Sequence, residues 1–446
     1  STDPAVQAGL RQRAARSAGA LARHEVAIQY ARRSLEWYRA NGDKDEVADA
    51  ARQVANVLSH AYRAPEAIRV LEPVVETYSS LESAASVAAA AELARAYLMA
   101  LRDDDAAAMS DRVIAPAERL GLTDTIIDTL ITRGTALGNL GRLHEAISLL
   151  HGASRYADER DLPLSEIRAA NNLGHLLEYD DHVAALEACR RGLEMANRLG
   201  DVRFIGSFTW AVAAYLDRDG RFAEAQEMRD EVRERVELAP DSKLWYEMTD
   251  CMVAAARGEA SAIELARDAI ERSSDTPNPQ SAISLPIERS VLHFLAGEFD
   301  LAYREALSID EGDRLPGHIE IALFAAAMLG DGPRLESIRN QLGECRVRGR
   351  MVPSLAEAAA AAVAAVHGSN EDAVAGFARA LGFNYMKLDR AKLQALFAVC
   401  VGRDIAEARR ASDAAYEVFA ESGAHAYIDI FAAGMPPVGE RIAAGS

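Results

Sequence analysis

The chain has 446 residues, which is too long for one compact core and fits two or three domains or one extended repeat array. Apolar residues make up 50% and charged residues 26%, as in a folded protein and unlike a disordered one. The net charge of −19 at pH 7 disfavours direct nucleic-acid binding, because that affinity comes mostly from cations that neutralise phosphates. Alanine supplies 89 residues and aromatic residues only 6%, which favours closely packed helices over sheets.

The cysteines and the apolar stretches indicate a cytoplasmic protein. We expect free thiols, because no C-x-x-C spacing joins Cys189, Cys251, Cys345 and Cys400. The most apolar stretch, 356–366, is too short to span a bilayer, so we expect no membrane partner. The first residues, up to Pro4, resemble a helix cap followed by a first-turn proline. We therefore expect a fragment whose start was chosen at a helix.

A period of about forty residues runs along the chain. Its anchor is an alanine, and the first eight anchors follow one another at spacings of 37 to 40 residues. In chain order the anchors are Ala27, Ala67, Ala106, Ala146, Ala185, Ala225, Ala262 and Ala302, followed by Ala373 and Ala408. The separation of 71 residues between Ala302 and Ala373 leaves room for one degenerate unit.

Glycines in register with these alanines predict two helices in each unit. A glycine five residues before the anchor is expected to end the first helix, since glycine adopts positive φ freely. These glycines are Gly141, Gly220, Gly297 and Gly368. A glycine fifteen residues after the anchor is expected to end the second helix. These are Gly42, Gly121, Gly200, Gly317 and Gly423.

The best-matched segment is 131–153, with small or apolar residues at Gly134, Leu137, Ala146 and Ala153 and a turn at Gly141. With this pattern the chain resembles the tetratricopeptide repeat (TPR) family over roughly residues 5–430. Its period exceeds the family's usual length of about 34 residues and is similar to that of the long-repeat branch in bacterial signalling regulators and nucleotide cyclases. The resemblance implies an all-α α-solenoid of about ten to eleven antiparallel helix pairs in a right-handed superhelix.

The regularity of the pattern predicts three parts. Residues 1–272 carry regular repeats. Residues 273–353 fit the pattern poorly and include a proline-containing hinge candidate at 273–279. Residues 354–446 return to the pattern and are expected to end in a capping helix.

No motif of a known catalytic centre occurs in the chain. A Walker loop, H-E-x-x-H, G-x-S-x-G and an EF-hand loop are all missing from the sequence, so we expect no enzyme, no cofactor and no metal. The acidic runs at 103–105 and 179–182 are expected to be solvated turns and helix caps.

The concave surface of the array is the candidate binding site. The TPR resemblance implies that the fifth and ninth positions of each first helix point into this groove. The candidate groove residues are Arg52, Asn56, Arg95, Thr135, Asn171, His175 and Trp210. Arginine and asparagine could hold a peptide backbone or carboxylate, and Trp210 could anchor an apolar side chain. The alternative interpretation is that these seven are ordinary exposed polar residues without a ligand. Arg52 and Asn56 imitate one unit of the family's carboxylate clamp, but Ala88 and Glu92 depart from it.

The leading hypothesis is a non-enzymatic protein- or peptide-binding scaffold or sensor, as part of a larger bacterial signalling or transcription-regulating protein. The segment 407–434 supports it, because it resembles the ends of bacterial regulators and nucleotide cyclases that carry such arrays. One alternative is a stand-alone cytosolic receptor for a peptide or small molecule, and another is an enzyme with an unfamiliar site in 273–353. Homodimerisation through the terminal repeats is a further hypothesis.

Overall fold

The computed structural model describes residues 3–20, 23–78, 80–238, 240–274, 281–310 and 314–433. In these ranges the regular secondary structure is helical, without a strand. The helices are α1 (Pro4–Ala20), α2 (His24–Asn41), α3 (Lys44–His60), α4 (Ala64–Glu76), α5 (Ala84–Met99), α6 (Asp103–Arg119), α7 (Thr123–Asn139), α8 (Leu143–Asp158), α9 (Pro163–Leu177), α10 (His182–Leu199), α11 (Val202–Arg218), α12 (Phe222–Arg235), α13 (Pro240–Ala256), α14 (Ala262–Ser274), α15 (Ser281–Leu295), α16 (Phe299–Ala306), α17 (Pro316–Leu329), α18 (Gly332–Glu344), α19 (Met351–Val366), α20 (Asn370–Ala380), α21 (Lys387–Val401), α22 (Ala406–Ser422) and α23 (His425–Ala433).

The predicted all-α solenoid is confirmed. In chain order α1–α22 make eleven helix pairs, and α23 follows them. Each alanine anchor lies near the start of the second helix of its pair and is at most 2% exposed. The pair α17 and α18 occupies the interval that the anchors left open. An alanine at these positions lets the paired helices approach closely while it loses no side-chain entropy.

Eight of the nine glycines end the helix that they were predicted to end, and Gly317 does not. All four glycines before the anchors, and the three after them at 121, 200 and 423, have φ between 67° and 87°. Gly42 instead has φ −92°, and a Cβ there would lie 2.9 Å from the Tyr38 carbonyl oxygen, so close approach explains this glycine. Gly317 does not end a helix but lies in the first turn of α17, directly after Pro316.

The described residues fall into two compact units. Unit 1 comprises residues 3–173, and unit 2 comprises residues 174–274 and 281–433. The predicted boundaries at 272 and 353 lie inside unit 2, and the three-part division stays a prediction. Most of the hinge candidate at 273–279 lies outside the described residues.

The odd-numbered helices line the inner face of each unit. In unit 1, α3 packs on α5 and α5 packs on α7, and in unit 2 the same relation joins α13, α15 and α17. Contacts between successive even-numbered helices are sparse in the described ranges. Because elements on the inside of a curve lie closer together, the first helix of each pair forms the concave side.

The acidic run at 179–182 was wrongly predicted to be a solvated turn. Asp181 does cap α10, since its carboxylate accepts from the backbone N–H groups of Val183 and Ala184. However, His182 is 0% exposed and Tyr179 only 5%. The turn is buried because a distant part of unit 2 packs on it, as described below. The other run, 103–105, forms the first turn of α6, where negative charge favours the helix N-terminus.

Within the described ranges, no helix combines the length and the apolarity that a membrane crossing requires.

Close packing between α10 and α11 depends on one glycine. A Cβ on Gly192 of α10 would lie 2.2 Å from Cζ of Phe208, whose ring is 1% exposed. We expect Gly192→Ala to lower the free energy of unfolding by about 1–3 kcal/mol, because the ring has to move out of a filled core. Urea denaturation measures this. Gly343→Ala on α18, where a Cβ meets nothing within 4 Å, is the matched control and should not destabilise the protein. Equal stability of the two variants would contradict the packing argument.

Candidate functional site

The inner face of unit 1 gathers charged and amide side chains around one carboxylate, Glu92 of α5. Asn56 of α3 donates from Nδ2 to Glu92 Oε2 at 3.5 Å. Arg95 of α5, Arg168 of α9 and Arg52 of α3 all attract the Glu92 carboxylate electrostatically. We call these five residues the Glu92 cluster. Three of them, Arg52, Asn56 and Arg95, are predicted groove residues, and the structure brings them together.

Two buried polar atoms in this cluster lack a hydrogen bond from the protein. Glu92 is partly exposed as a residue, but its Oε1 atom is buried and accepts no hydrogen bond. Arg52 Nε is also buried and donates none, since the Asp49 carboxylate lies 3.6 Å away. A buried polar group without a partner costs about 1–3 kcal/mol. The cluster therefore has an unused acceptor and an unused donor on one surface.

The electrostatics of Glu92 reflect the burial of its carboxylate among charged neighbours. Burial raises the pKa of Glu92, while Arg95, Arg168, Arg52 and the hydrogen bond from Asn56 lower it. The balance leaves the pKa above its ordinary value, because loss of water outweighs three nearby cations. Any group that replaces the missing solvation will stabilise the charged carboxylate.

His60 fixes the end of α3 beside the cluster. Its Nδ1 lies 2.8 Å from the Asn56 carbonyl oxygen, which can only accept, so Nδ1 carries the proton. Its Nε2 is then an acceptor and lies 3.4 Å from Arg95 Nη2. His60 thus orients the Arg95 guanidinium. The prediction missed it, although His60 continues the four-residue spacing of Arg52 and Asn56 along one helix face.

Thr135 and Asn171 occupy the next stretch of the inner face. Thr135 is only 7% exposed, donates to the Ile131 carbonyl at 2.9 Å and accepts from Asn172 Nδ2 at 2.8 Å. Its hydroxyl therefore supports the neighbouring helix. Asn171 donates to Asn172 Oδ1 at 3.3 Å. Asn172, which the prediction did not include, is therefore hydrogen-bonded to both Thr135 and Asn171.

Arg168 is held in place by its own partners. It donates from Nη1 to Asp128 Oδ1 at 2.5 Å, and Ser165 donates to the same oxygen at 3.0 Å. Arg168 lies three helix pairs after Arg52 in chain order. Its charge acts on Glu92 of α5 although Arg168 lies two helix pairs later in chain order, so a search for fixed repeat positions does not find it.

His175 and Trp210 belong to unit 2 and are not part of the Glu92 cluster. His175 is exposed and makes an edge contact with the Tyr179 ring at a centroid distance of 5.7 Å. Trp210 donates from Nε1 to Thr249 Oγ1 at 2.9 Å and packs edge-on to Trp245. Their predicted groove contacts stay predictions.

Comparison with known proteins finds proteins similar to this chain among solved structures, but not among family models or curated proteins. No family model matches the chain, and no curated protein matches it. A Podosopora anserina kinesin light chain with TPR-like repeats is 15% identical and covers 45% of this chain and 99% of its own, with a TM-score of 0.34. A Rap protein complexed with competence and sporulation factor is 10% identical and covers 85% of this chain and 98% of its own, with a TM-score of 0.48. These similarities concern the helical repeat fold and carry no argument about function.

Proposed function

We propose that the inner face of unit 1 binds an extended peptide segment of a protein partner. The observation that carries the proposal is the pair of buried, unsatisfied atoms, Glu92 Oε1 and Arg52 Nε. A peptide backbone offers an N–H donor and a carbonyl acceptor, which are the two kinds of partner that these atoms lack.

The charge balance of the cluster also favours a peptide. The three arginines of the cluster are accompanied by Glu92, by Asp49 near Arg52 and by Asp128 on Arg168. Three cations and three carboxylates give a surface without net charge, which suits a neutral backbone better than a polyphosphate. The cluster contains no serine, threonine or cysteine beside a general base, so we propose binding without catalysis.

We further propose a signalling role in the bacterial cytoplasm, in which peptide binding to this array regulates an output. Support comes from the forty-residue period and from the composition of segment 407–434. Homodimerisation through the terminal repeats also stays a proposal. On the first helix pair, Val6 and Leu10 of α1 are 43% and 46% exposed, and Val26 and Tyr30 of α2 are 43% and 39% exposed.

Panning a random dodecapeptide phage library against the wild-type chain tests the peptide proposal, with counter-selection on the Arg52→Ala/Glu92→Ala double variant. We expect enriched peptides whose affinity, measured by isothermal titration, falls about tenfold with either single variant, because each removes one hydrogen-bonding partner worth about 1.4 kcal/mol. Arg112→Ala, an exposed residue of α6, is the control and should bind like wild type. No enrichment, or equal affinity for all variants, would refute the proposal.

A further inference from the structure

The two ends of unit 2 meet, which the nearest-neighbour contacts of a repeat array do not require. Arg350 donates from Nη2 to Asp181 Oδ2 at 3.0 Å, across 169 residues of sequence. The backbone N–H of Met351 donates to the Tyr179 carbonyl at 3.1 Å. A second line of contact joins the Lys387 backbone N–H to Asp219 Oδ1 at 3.2 Å, across 168 residues. Unit 2 is therefore closed, with α21 packed on α11 and α17.

A partly buried charge cluster lies where the ends meet. Arg218 of α11 donates from Nε to Asp389 Oδ2 of α21 at 2.7 Å and from Nη1 to Glu178 Oε1 at 3.0 Å. Lys392 Nζ lies 2.7 Å from the other oxygen of Asp389. Asp389 is only 5% exposed, so these two cations replace the water that its carboxylate loses on folding.

Two further titratable groups face this cluster. His182 of α10 has Nε2 at 3.1 Å from Arg218 Nη2. Glu320 of α17 interacts electrostatically with Asp389, Lys392 and Arg218. We call Glu178, His182, Arg218, Glu320, Asp389 and Lys392 the closure cluster. Tyr385, before α21, and Tyr427 of α23 complete its surroundings and stay neutral, because burial raises the pKa of both phenols.

The charges of the closure cluster balance only when Glu320 is protonated. Arg218 and Lys392 supply two positive charges, and Asp389 and Glu178 supply two negative charges. His182 adds none near neutral pH, because burial and Arg218 lower its pKa to about 3. Ionised Glu320, which is half-buried, therefore brings one unbalanced negative charge towards the buried Asp389 carboxylate.

We propose that the closure of unit 2 is a proton-dependent latch, tight while Glu320 carries a proton and loosened once Glu320 is charged. When the latch loosens, α21 separates from α11 and α17 and exposes the inner face of unit 2. The latch thereby controls access to a surface that α21 and α23 cover in the closed state, since α23 packs on α13 and α15.

The direction of the pH effect follows from linkage. Burial, followed by the Asp389 charge, raises the pKa of Glu320 to about 7, whereas its ordinary value is 4.5. The closed state thus holds the proton more tightly than an open, solvated state does. Raising the pH from about 4.5 to 7 progressively favours opening, and above 7 the effect levels off. Between pH 6 and pH 8 the opening equilibrium of α21 is expected to rise roughly tenfold.

Hydrogen exchange of the full chain, read by mass spectrometry on peptides from α21 and corrected for intrinsic exchange rates, tests the latch. Wild type should show a roughly tenfold greater opening of α21 at pH 8 than at pH 6. Glu320→Gln should show less than a twofold change, while Glu371→Gln, an exposed residue of α20, should behave like wild type. Peptides from α3 and α5 of unit 1 serve as the internal reference.

Two results would overturn the latch. One is an opening equilibrium of α21 in the wild-type chain that is the same at pH 6 and pH 8. This result requires no variant. The other is a Glu320→Gln profile that keeps the wild-type pH dependence. Asp389→Asn provides a second variant. It should increase α21 opening at both pH values, because it weakens the bonds to Arg218 and Lys392. Hydrogen-exchange protection of α21 equal to that of wild type would also refute the latch.

Discussion

Replacing Arg229 with methionine is expected to lower the free energy of unfolding of unit 2 by about 3–5 kcal/mol. Arg229 is 0% exposed and donates from Nη1 to Asp217 Oδ2 at 2.7 Å, while its Nε lies 2.7 Å from Asp250 Oδ1. Methionine fills similar space but removes the cation that Asp217 pairs with, whereas Asp250 keeps its ion pair with Arg233. Removal of one partner of a buried ion pair costs far more than the pair contributes, because a charge then stays buried without compensation.

This effect should depend on pH. Burial raises the pKa of Asp217 to about 6, and Arg229 opposes that rise. Without Arg229 the pKa of Asp217 rises further, so protonation relieves more of the loss at pH 5 than at pH 8. Urea denaturation at both pH values, followed by Trp210 and Trp245 fluorescence in a Trp37→Phe background, measures the difference.

The control for this variant is Arg235→Ala, which removes a 61% exposed guanidinium from the same helix. Exposed pairs contribute about 0–1 kcal/mol, so this change should be small at both pH values. A loss below about 1 kcal/mol for Arg229→Met at pH 8 would show that the Asp217 carboxylate finds other compensation.

Phe431→Ala is expected to cost about 3–5 kcal/mol and to release α23 from unit 2. The Phe431 ring is 0% exposed and stacks on Phe419 at an interplanar angle of 4° and a centroid distance of 6.0 Å. It also contacts Phe294 of α15 and Phe324 of α17 at 6.1 and 6.4 Å. One side chain therefore fills the space between three helices, and its removal leaves a cavity that those helices cannot fill.

Thermal and urea unfolding measure the loss of stability, and hydrogen exchange of α23 measures its release. Asp429→Ala alters an exposed residue of the same helix and should change the stability by less than about 0.5 kcal/mol. If Phe431→Ala and Asp429→Ala have the same stability, the aromatic cluster does not hold α23.

The repeat pattern predicted the helix pairs because their cause is local. The alanine anchors and the glycines in many of the turns reflect close packing between adjacent helices, and both lie within one unit of sequence. Closure of unit 2 could not be predicted in this way. Asp389 and Arg218 are 171 residues apart, and neither residue carries a local signal that it faces the other.

The groove residues illustrate the same limit at the site. The TPR resemblance singled out Arg52, Asn56 and Arg95, and the structure gathers them around one carboxylate, while their role in binding stays a prediction. Glu92 counted as a departure from a carboxylate clamp, whereas in the structure the arginines gather around it. Thr135 was predicted from its repeat position, but its hydroxyl is hydrogen-bonded to the Ile131 carbonyl and to Asn172. The spacing of residues alone does not reveal such internal hydrogen bonds.

The most direct test of peptide binding on the inner face of unit 1 locates a bound peptide on the full chain. A peptide selected on the wild-type chain is synthesised with a photoreactive benzoylphenylalanine, irradiated in complex with the protein and mapped by mass spectrometry. Attachment to α3 and α5, beside Arg52, Asn56 and Glu92, is the predicted result. Attachment confined to α4 and α6, or to unit 2, would contradict it.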